Sequence, residues 1–426
     1  MDRNLELQSG IADAPAWRGY LYRLIQGSPA DFQTNLIESF RDLLSFYAER
    51  KSEFDPIEID VARAYFIVVL AETNRHSEAQ AELRRLSESN QDSSLTLLLQ
   101  LAYGEAQRRP TIADIDAASH RLGHGWAASK LRSRLAANMG DVQLARDIDT
   151  ELVMTGKGWE RWMSVFFFVH LAIVVSGFFL LFKTRHAPSE ITPPFSNTQF
   201  TPWTLNEGVG AFIWCLYLRQ GVFLVAGFLA RAGISIPYQL LDLLALLLSV
   251  QLIRLNLLIP KTLGFNSAFG LSPIRGTYCT VFRISVMTFA IELVGSTLIE
   301  SFTLFLGFYP HWTEGLDEDF IWGSWQIASL SAGHAIVWGP MLEELLVRGL
   351  FYPSLRNRFS PIVASLISSG IFASWHFYSI SGFLSVFWAG LVWAYVYERF
   401  RSLLPTILSH AAVNALLTCM YLVFLR

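Results

Sequence analysis

Cysteine is nearly absent from the chain: Cys215, Cys279 and Cys419 are all there is in 426 residues. They stand far apart in apolar segments. Neither a disulfide framework nor a cysteine metal site is expected, and all three read as small buried hydrophobes. Charge is scarce too. Charged residues make up 16% of the chain and the formal net charge is −3, which leaves no electrostatic argument for a nucleic-acid partner. No basic stretch followed by an apolar core opens the chain, so a cleavable signal peptide is not expected. The zinc-protease pattern HExxH does not occur, and the stretch beginning at His334 (HAIVW) does not supply it. Apolar residues, at 52%, are too abundant for an ordinary soluble chain.

The apolar residues are unevenly placed. Residues 1–157 mix charge and hydrophobicity as a soluble domain does, and they read as helical hairpins. The segment VARAYFIVVLAETNRHSEAQAELRRL has helical spacing broken by the polar turn Thr73-Asn74-Arg75-His76, after which Ala79 and Ala81 open a helix carrying Leu83 and Leu86. The segment SKLRSRLAANMGDVQLARDIDTEL repeats that grammar around an Asn-Met-Gly-Asp turn. This domain resembles degenerate tetratricopeptide repeats without their full signature, and a plain helical bundle is an equal alternative. Either architecture implies partner binding or scaffolding.

From Trp162 onward, long apolar stretches alternate with short polar ones. WMSVFFFVHLAIVVSGFFLLF, residues 162–182, suits a hydrocarbon core crossed by about 20 helical residues. A linker with Pro188, Pro193, Pro194 and Pro202 follows. Further spans are expected near 206–230, 238–259, 280–308, 326–347, 361–377, 382–398 and 403–425, with a polar loop over 309–323. The expected fold is therefore all-α: a polytopic transmembrane bundle of about eight spans after a soluble helical-hairpin domain. Its parts would be 1–157, then accessory spans and linker over 158–279, then a core over 280–426. Topology rules disagree about sidedness. Lys and Arg gather after alternate spans, as at Lys183 and Arg185 or Arg399 and Arg401, which the positive-inside rule reads as placing residues 1–157 outside. The missing signal peptide argues for the opposite side.

A charge at the bilayer centre costs about 3 kcal/mol on insertion scales, so each one needs a reason. In GPMLEELLVRGLFYPSLRNRF, Glu343 and Glu344 are adjacent and point to different helical faces. Arg348 is four residues after Glu344 and can pair with it. Glu343 is then left free for chemistry. His376 follows Phe372 by one turn at the end of an apolar helix. His410 and Asn414 are four apart on the last span and share a face. Singly, these read as polar glue between helices. Together they supply a base, a second proton-handling group and two donors, which is what peptide hydrolysis requires. Glu292 and Glu300, two turns apart, could face the same cavity. Arg219, Asp242, Arg254 and Arg283 read as snorkelling or paired residues, and Trp322, Trp325, Trp338, Trp388, Trp393, Tyr395 and Tyr397 as anchors or packing.

Glu343-Glu344-xxx-Arg348, Phe372-xxx-His376 and His410-xxx-Asn414, in that order on separate spans, resemble the three motifs of the CPBP family. This family comprises the type II CAAX prenyl endopeptidases and the bacteriocin-processing or immunity (Abi) proteins. The resemblance covers about residues 280–425, departs at Val347 where an aromatic is common, and says nothing of 1–157. It implies that Glu343 with His376 activates water, that His410 and Asn414 form an oxyanion hole, and that Glu344 and Arg348 position the motif helix. It implies no essential metal, although Glu and His are also plausible zinc ligands.

The expected function is intramembrane proteolysis of a membrane-associated peptide or protein, in a multi-pass protein of a bacterial cytoplasmic membrane. The helical N-terminal domain is expected to meet a protein partner. A non-catalytic scaffold or immunity-type binding protein of the same fold is the alternative, and a proton-coupled transporter is a third.

Overall fold

The computed structural model describes residues 29–49, 56–89, 93–104, 108–123, 125–184, 200–272, 277–308, 314, 318–320 and 323–424. Pro188, Pro193, Pro194, Arg185, Trp322 and most of the loop 309–323 lie outside the described residues. Among those described, every regular element is helical. The chain divides into two compact units, Met1–Phe167 and Phe168–Arg426.

The first unit contains α1 (Pro29–Glu49), α2 (Pro56–Glu72), α3 (His76–Ser89), α4 (Ser93–Tyr103), α5 (Ile112–Leu122) and α6 (Trp126–Met139). Consecutive pairs pack as hairpins, α2 on α3 and α5 on α6. Their apolar stripes close a common core through Ile67, Leu70, Leu86, Leu99, Leu131 and Leu135, none more than 1% exposed. The polar turns fall where the pattern placed them. Asn74 takes a left-handed φ of 64° between α2 and α3. Gly140, at φ 101°, ends α6 by donating its N–H to the carbonyls of Ala136 and Ala137. The side chain of Asp141 then accepts from the Leu144 amide at 2.9 Å and starts α7 (Val142–Thr184), a helix that continues into the apolar stretch.

The second unit holds the membrane helices. Among the described residues, six are long and apolar enough to cross a bilayer: α7, α8 (Leu205–Arg231), α9 (Tyr238–Lys261), α10 (Tyr278–Phe305), and the last two, Ile380–Phe400 and Leu404–Val423. The protein is a multi-pass integral membrane protein. The expected count of eight is not reached by these criteria. Residues 325–356 (α11) run helically throughout but carry His334, Glu343, Glu344 and Arg348. The helix α12 (Pro361–Ser374) has only 14 residues. The last two helices are α13 (Ile380–Phe400) and α14 (Leu404–Phe424).

This unit has a buried apolar core around Trp203, Phe269 and Tyr352, but it is apolar on the outside as well. Large apolar side chains such as Phe179, Leu224, Phe282 and Leu298 face outward, as lipid contact favours. The interior keeps Asp242, Glu292, Glu344, Arg348 and His410. The cysteine expectation therefore fails for two of three. Cys215 is buried, but Cys279 and Cys419 are exposed, because an apolar segment in a membrane does not have to turn inward.

Proline shapes the helices that matter. Three π-helical stretches, Arg254–Leu258, His334–Trp338 and Leu345–Phe351, each end two residues before a proline: Pro260, Pro340 and Pro353. A proline ring inside a regular helix collides with the carbonyl four residues earlier and offers no N–H to it. Widening the preceding turn moves that carbonyl aside and keeps the helix running. In α11 two such turns bracket the short α-helical piece Gly339–Glu344 that carries both glutamates.

The end of α11 is tied down firmly. The Tyr352 hydroxyl donates to Glu398 at 2.7 Å, and Arg356 grips the same carboxylate at 2.9 and 3.0 Å. The Asn357 side chain accepts from the Phe200 amide and donates to the Trp203 carbonyl.

Candidate active site

Glu344 and Arg348 face one another within α11 as the spacing requires. Nη1 of Arg348 donates to Oε1 of Glu344 at 3.0 Å, and both side chains are wholly buried. That same Oε1 lies 3.3 Å from Nδ1 of His410 on α14. Since a carboxylate only accepts, the Nδ1 proton is the shared one. The other ring nitrogen of His410 points the opposite way, its Nε2 being 3.7 Å from Oε2 of Glu343. One imidazole thus stands between two adjacent glutamates. Glu344 is sealed, whereas the Glu343 side chain is 36% exposed, so only Glu343 combines access with an imidazole partner.

Aromatic rings fix the rest. His410 stacks on Trp393 of α13 with centroids 4.2 Å apart and planes 20° from parallel. The guanidinium of Arg348 lies over the rings of Phe372 (4.3 Å) and Trp393 (4.9 Å). Phe372 is also the hub between the two histidines, with His376 4.9 Å and His410 6.2 Å from it, both edge to face. His376 does not continue α12. It sits in the turn after Ser374, where its Nδ1 donates to the Phe372 carbonyl at 3.0 Å and Nε2 stays free of that bond. The turn is strained: Phe377, the next residue, has a φ of 52° and is 92% exposed. Asn414 faces α11 but lies one turn further along α14, and its amide donates to the Ala335 carbonyl in the first π-helical turn at 2.7 Å.

The structure therefore gathers Glu343, Glu344, Arg348, Phe372 and His410 into one contact network. It places His376 at that network's edge through Phe372, and it ties Asn414 to the preceding turn of α11. Among the described residues, no three His, Cys, Asp or Glu side chains converge as a metal-ligand set.

Sequence reasoning missed several contributors. Trp393 was read only as an anchor or packing residue, and nothing in its largely apolar helix pointed to the site. Gly390 carried a signal only in hindsight: a Cβ there would lie 2.8 Å from Ser369 Cβ and 3.1 Å from Arg348 Nη2, so α13 can approach the guanidinium only with glycine at this point. Glu292 was legible as a charge in mid-helix, and it is indeed buried at 4% exposure, whereas Glu300, two turns on, is exposed. Arg219 and Asp242 pair as expected, at 2.6 and 3.1 Å, with His334 joining Asp242 at 3.1 Å.

Residues 324–416 match the protein family described as type II CAAX prenyl endopeptidase, Rce1-like. The match begins at Ser324, whose hydroxyl accepts from the Ile327 amide to start α11, and it ends within α14 beyond Asn414. No curated protein and no solved structure matches the chain.

Proposed function

We propose, from the premise that residues 324–416 form an Rce1-like type II CAAX prenyl endopeptidase domain, that the protein is an intramembrane endopeptidase with Glu343 as its base. One observation carries the proposal: the Glu343 carboxylate is the accessible member of a glutamate pair and faces His410 across 3.7 Å, while its neighbour is sealed against Arg348.

The chemistry follows from that division. Water positioned by Glu343 and Nε2 of His376 gives its proton to the carboxylate as its oxygen attacks the scissile carbonyl carbon. The carbonyl oxygen becomes an oxyanion, which His410 and Asn414 hold. His410 donates from Nε2 to the oxyanion while Nδ1 stays on Glu344. The Asn414 amide has two N–H groups, of which one is committed to Ala335 and the other remains to donate. Collapse of the tetrahedral adduct breaks the C–N bond, and the proton held by Glu343 passes to the leaving amine. No step in this reading uses a metal ion.

The substrate is a peptide segment of a membrane-associated protein reached from the bilayer. The helical N-terminal domain, residues 1–157, recruits it or a regulator. The cytoplasmic membrane of a bacterium is the proposed location, and nucleic acid has no role.

The test compares membrane peptides from cells carrying wild-type and Glu343→Gln protein. A species that accumulates uncut with the variant supports the reading. Identical peptide content, with the variant present at wild-type level, contradicts it.

A further inference from the structure

Glu292 lies halfway along α10, outside the matched segment, and belongs to none of the three motifs. Its side chain is buried to 4% exposure, yet Oε2 has no hydrogen-bond partner. A buried carboxyl left in that state is costly and calls for a physical reason. Around it stand groups that are equally sealed and equally unpartnered: Nε and Nη2 of Arg348, Nε1 of Trp393, Oγ of Ser409 and Oε2 of Glu344. Arg348 and Glu344 are within electrostatic reach of the Glu292 carboxyl, and Trp393 and Ser409 stand beside it, close enough to donate to it although without regular hydrogen-bond geometry. Three carboxyls thus act on one guanidinium: Glu344 and Glu343 from α11, and Glu292 from α10. Glu344 holds it through Nη1 alone, and its remaining nitrogens are left over.

That asymmetry is unusual for arginine. Its planar fork prefers two parallel bonds to a single carboxylate. A fork on Glu344 would engage both oxygens and pull Oε1 away from the imidazole it shares. The Glu292 carboxyl on α10 competes with Glu344 for the guanidinium.

We infer that Glu292 is a positioning residue: by holding Arg348 back from a two-point grip on Glu344, it keeps Glu344 free to accept the Nδ1 proton of His410. The imidazole is thereby fixed with Nε2 aimed at Glu343, since the partner of one ring nitrogen sets the state of the other. The consequence for cleavage rests on the endopeptidase reading, but the positioning itself does not.

The test is 15N NMR of the full-length protein in detergent micelles, labelled at histidine, with His410 assigned by the signal lost in His410→Gln. In the wild type, Nδ1 of His410 carries its proton. In Glu292→Gln and in Glu292→Leu, the latter suited to an apolar helix, Arg348 turns fully onto Glu344 and the Nδ1 signal moves toward the unprotonated position. Glu292→Asp restores the wild-type pattern in part. An unchanged His410 spectrum in both the Gln and Leu variants overturns the inference, whatever happens to cleavage. For a peptide shown to accumulate with Glu343→Gln, Glu292→Gln is further expected to lower kcat about tenfold with little change in KM. Should Glu343→Gln leave all peptides unchanged, the protease reading fails while the spectra still decide the role of Glu292.

Discussion

Two clusters, one in each unit, treat buried charge in opposite ways. In the first, Asp114 is satisfied: Nη1 and Nη2 of Arg108 each donate to it at 2.7 Å, and the Thr111 amide and hydroxyl donate at 2.7 and 2.8 Å. The carboxylate closes the start of α5 and needs nothing more. In the second, Arg348, Glu344 and Glu292 are sealed from solvent with polar atoms to spare. Both arrangements place an acid beside an arginine, so ion pairing does not distinguish them. Completeness does. A satisfied pair belongs to the architecture, and an unsatisfied one in a membrane interior keeps its cost only where the leftover valences act on something.

Four substitutions break or sharpen this contrast. Arg348→Leu is the most severe, because it strands the fully buried Glu344. Loss of one partner of a buried pair costs about 3–5 kcal/mol, so thermal unfolding in detergent should show a large drop in stability, and the double variant Arg348→Leu/Glu344→Gln should recover much of it. Pro340→Ala comes next. Without the ring, the widened turn at His334–Trp338 can revert to regular helix, which rotates the piece carrying Glu343. A displacement of about 1 Å at a catalytic group can cost about a hundredfold in rate, so kcat should fall by that order while stability holds or rises. Gly390→Ala presses a methyl on Ser369 and Arg348 and should cost about 1–3 kcal/mol as an overpacked site.

Asp114→Asn is the smallest and is confined to the first unit, at about 1 kcal/mol for a lost cap. Its signature is pH dependence. The Arg108 fork holds the Asp114 carboxyl well below the ordinary carboxylate range. The unfolded chain binds that proton near pH 3.9, so the stabilisation is whole above that value and is lost as pH falls toward the lower folded value. Protection against hydrogen exchange across Ile112–Leu122, after division by the intrinsic rate at each pH, should fall on acidification in the wild type and lose that dependence in Asp114→Asn.

Much of this was legible beforehand, for reasons that can be named. The Glu344–Arg348 pair follows from four-residue spacing in a helix, and that spacing alone frees Glu343 for another face. His410 was recognisable because an ionisable ring in a 20-residue apolar span has to be explained. The turns at Asn74 and Gly140 were marked by their residue types. What stayed hidden depends on contacts between helices distant in sequence. Nothing local to Trp393 says that it lies flat on His410, and nothing near Asn414 says that one N–H of its amide goes to Ala335. The distinction between Glu292 and Glu300 is likewise invisible, since eight residues of helix separate them by an angle that only neighbouring helices turn into inside and outside. The π-helical turns are a different case. Prolines at 260, 340 and 353 were in plain view, and each could have been read as the end of a widened turn rather than as a helix break.

The direct measurement of the central claim is the peptide content of membranes from cells expressing wild-type protein, Glu343→Gln and Glu343→Asp at equal levels. If the accessible glutamate beside His410 splits a peptide bond, one uncut species should build up with Glu343→Gln, and its two fragments should be recovered only with wild type and, more weakly, with the aspartate form. Equal fragment yields from all three proteins would contradict the account.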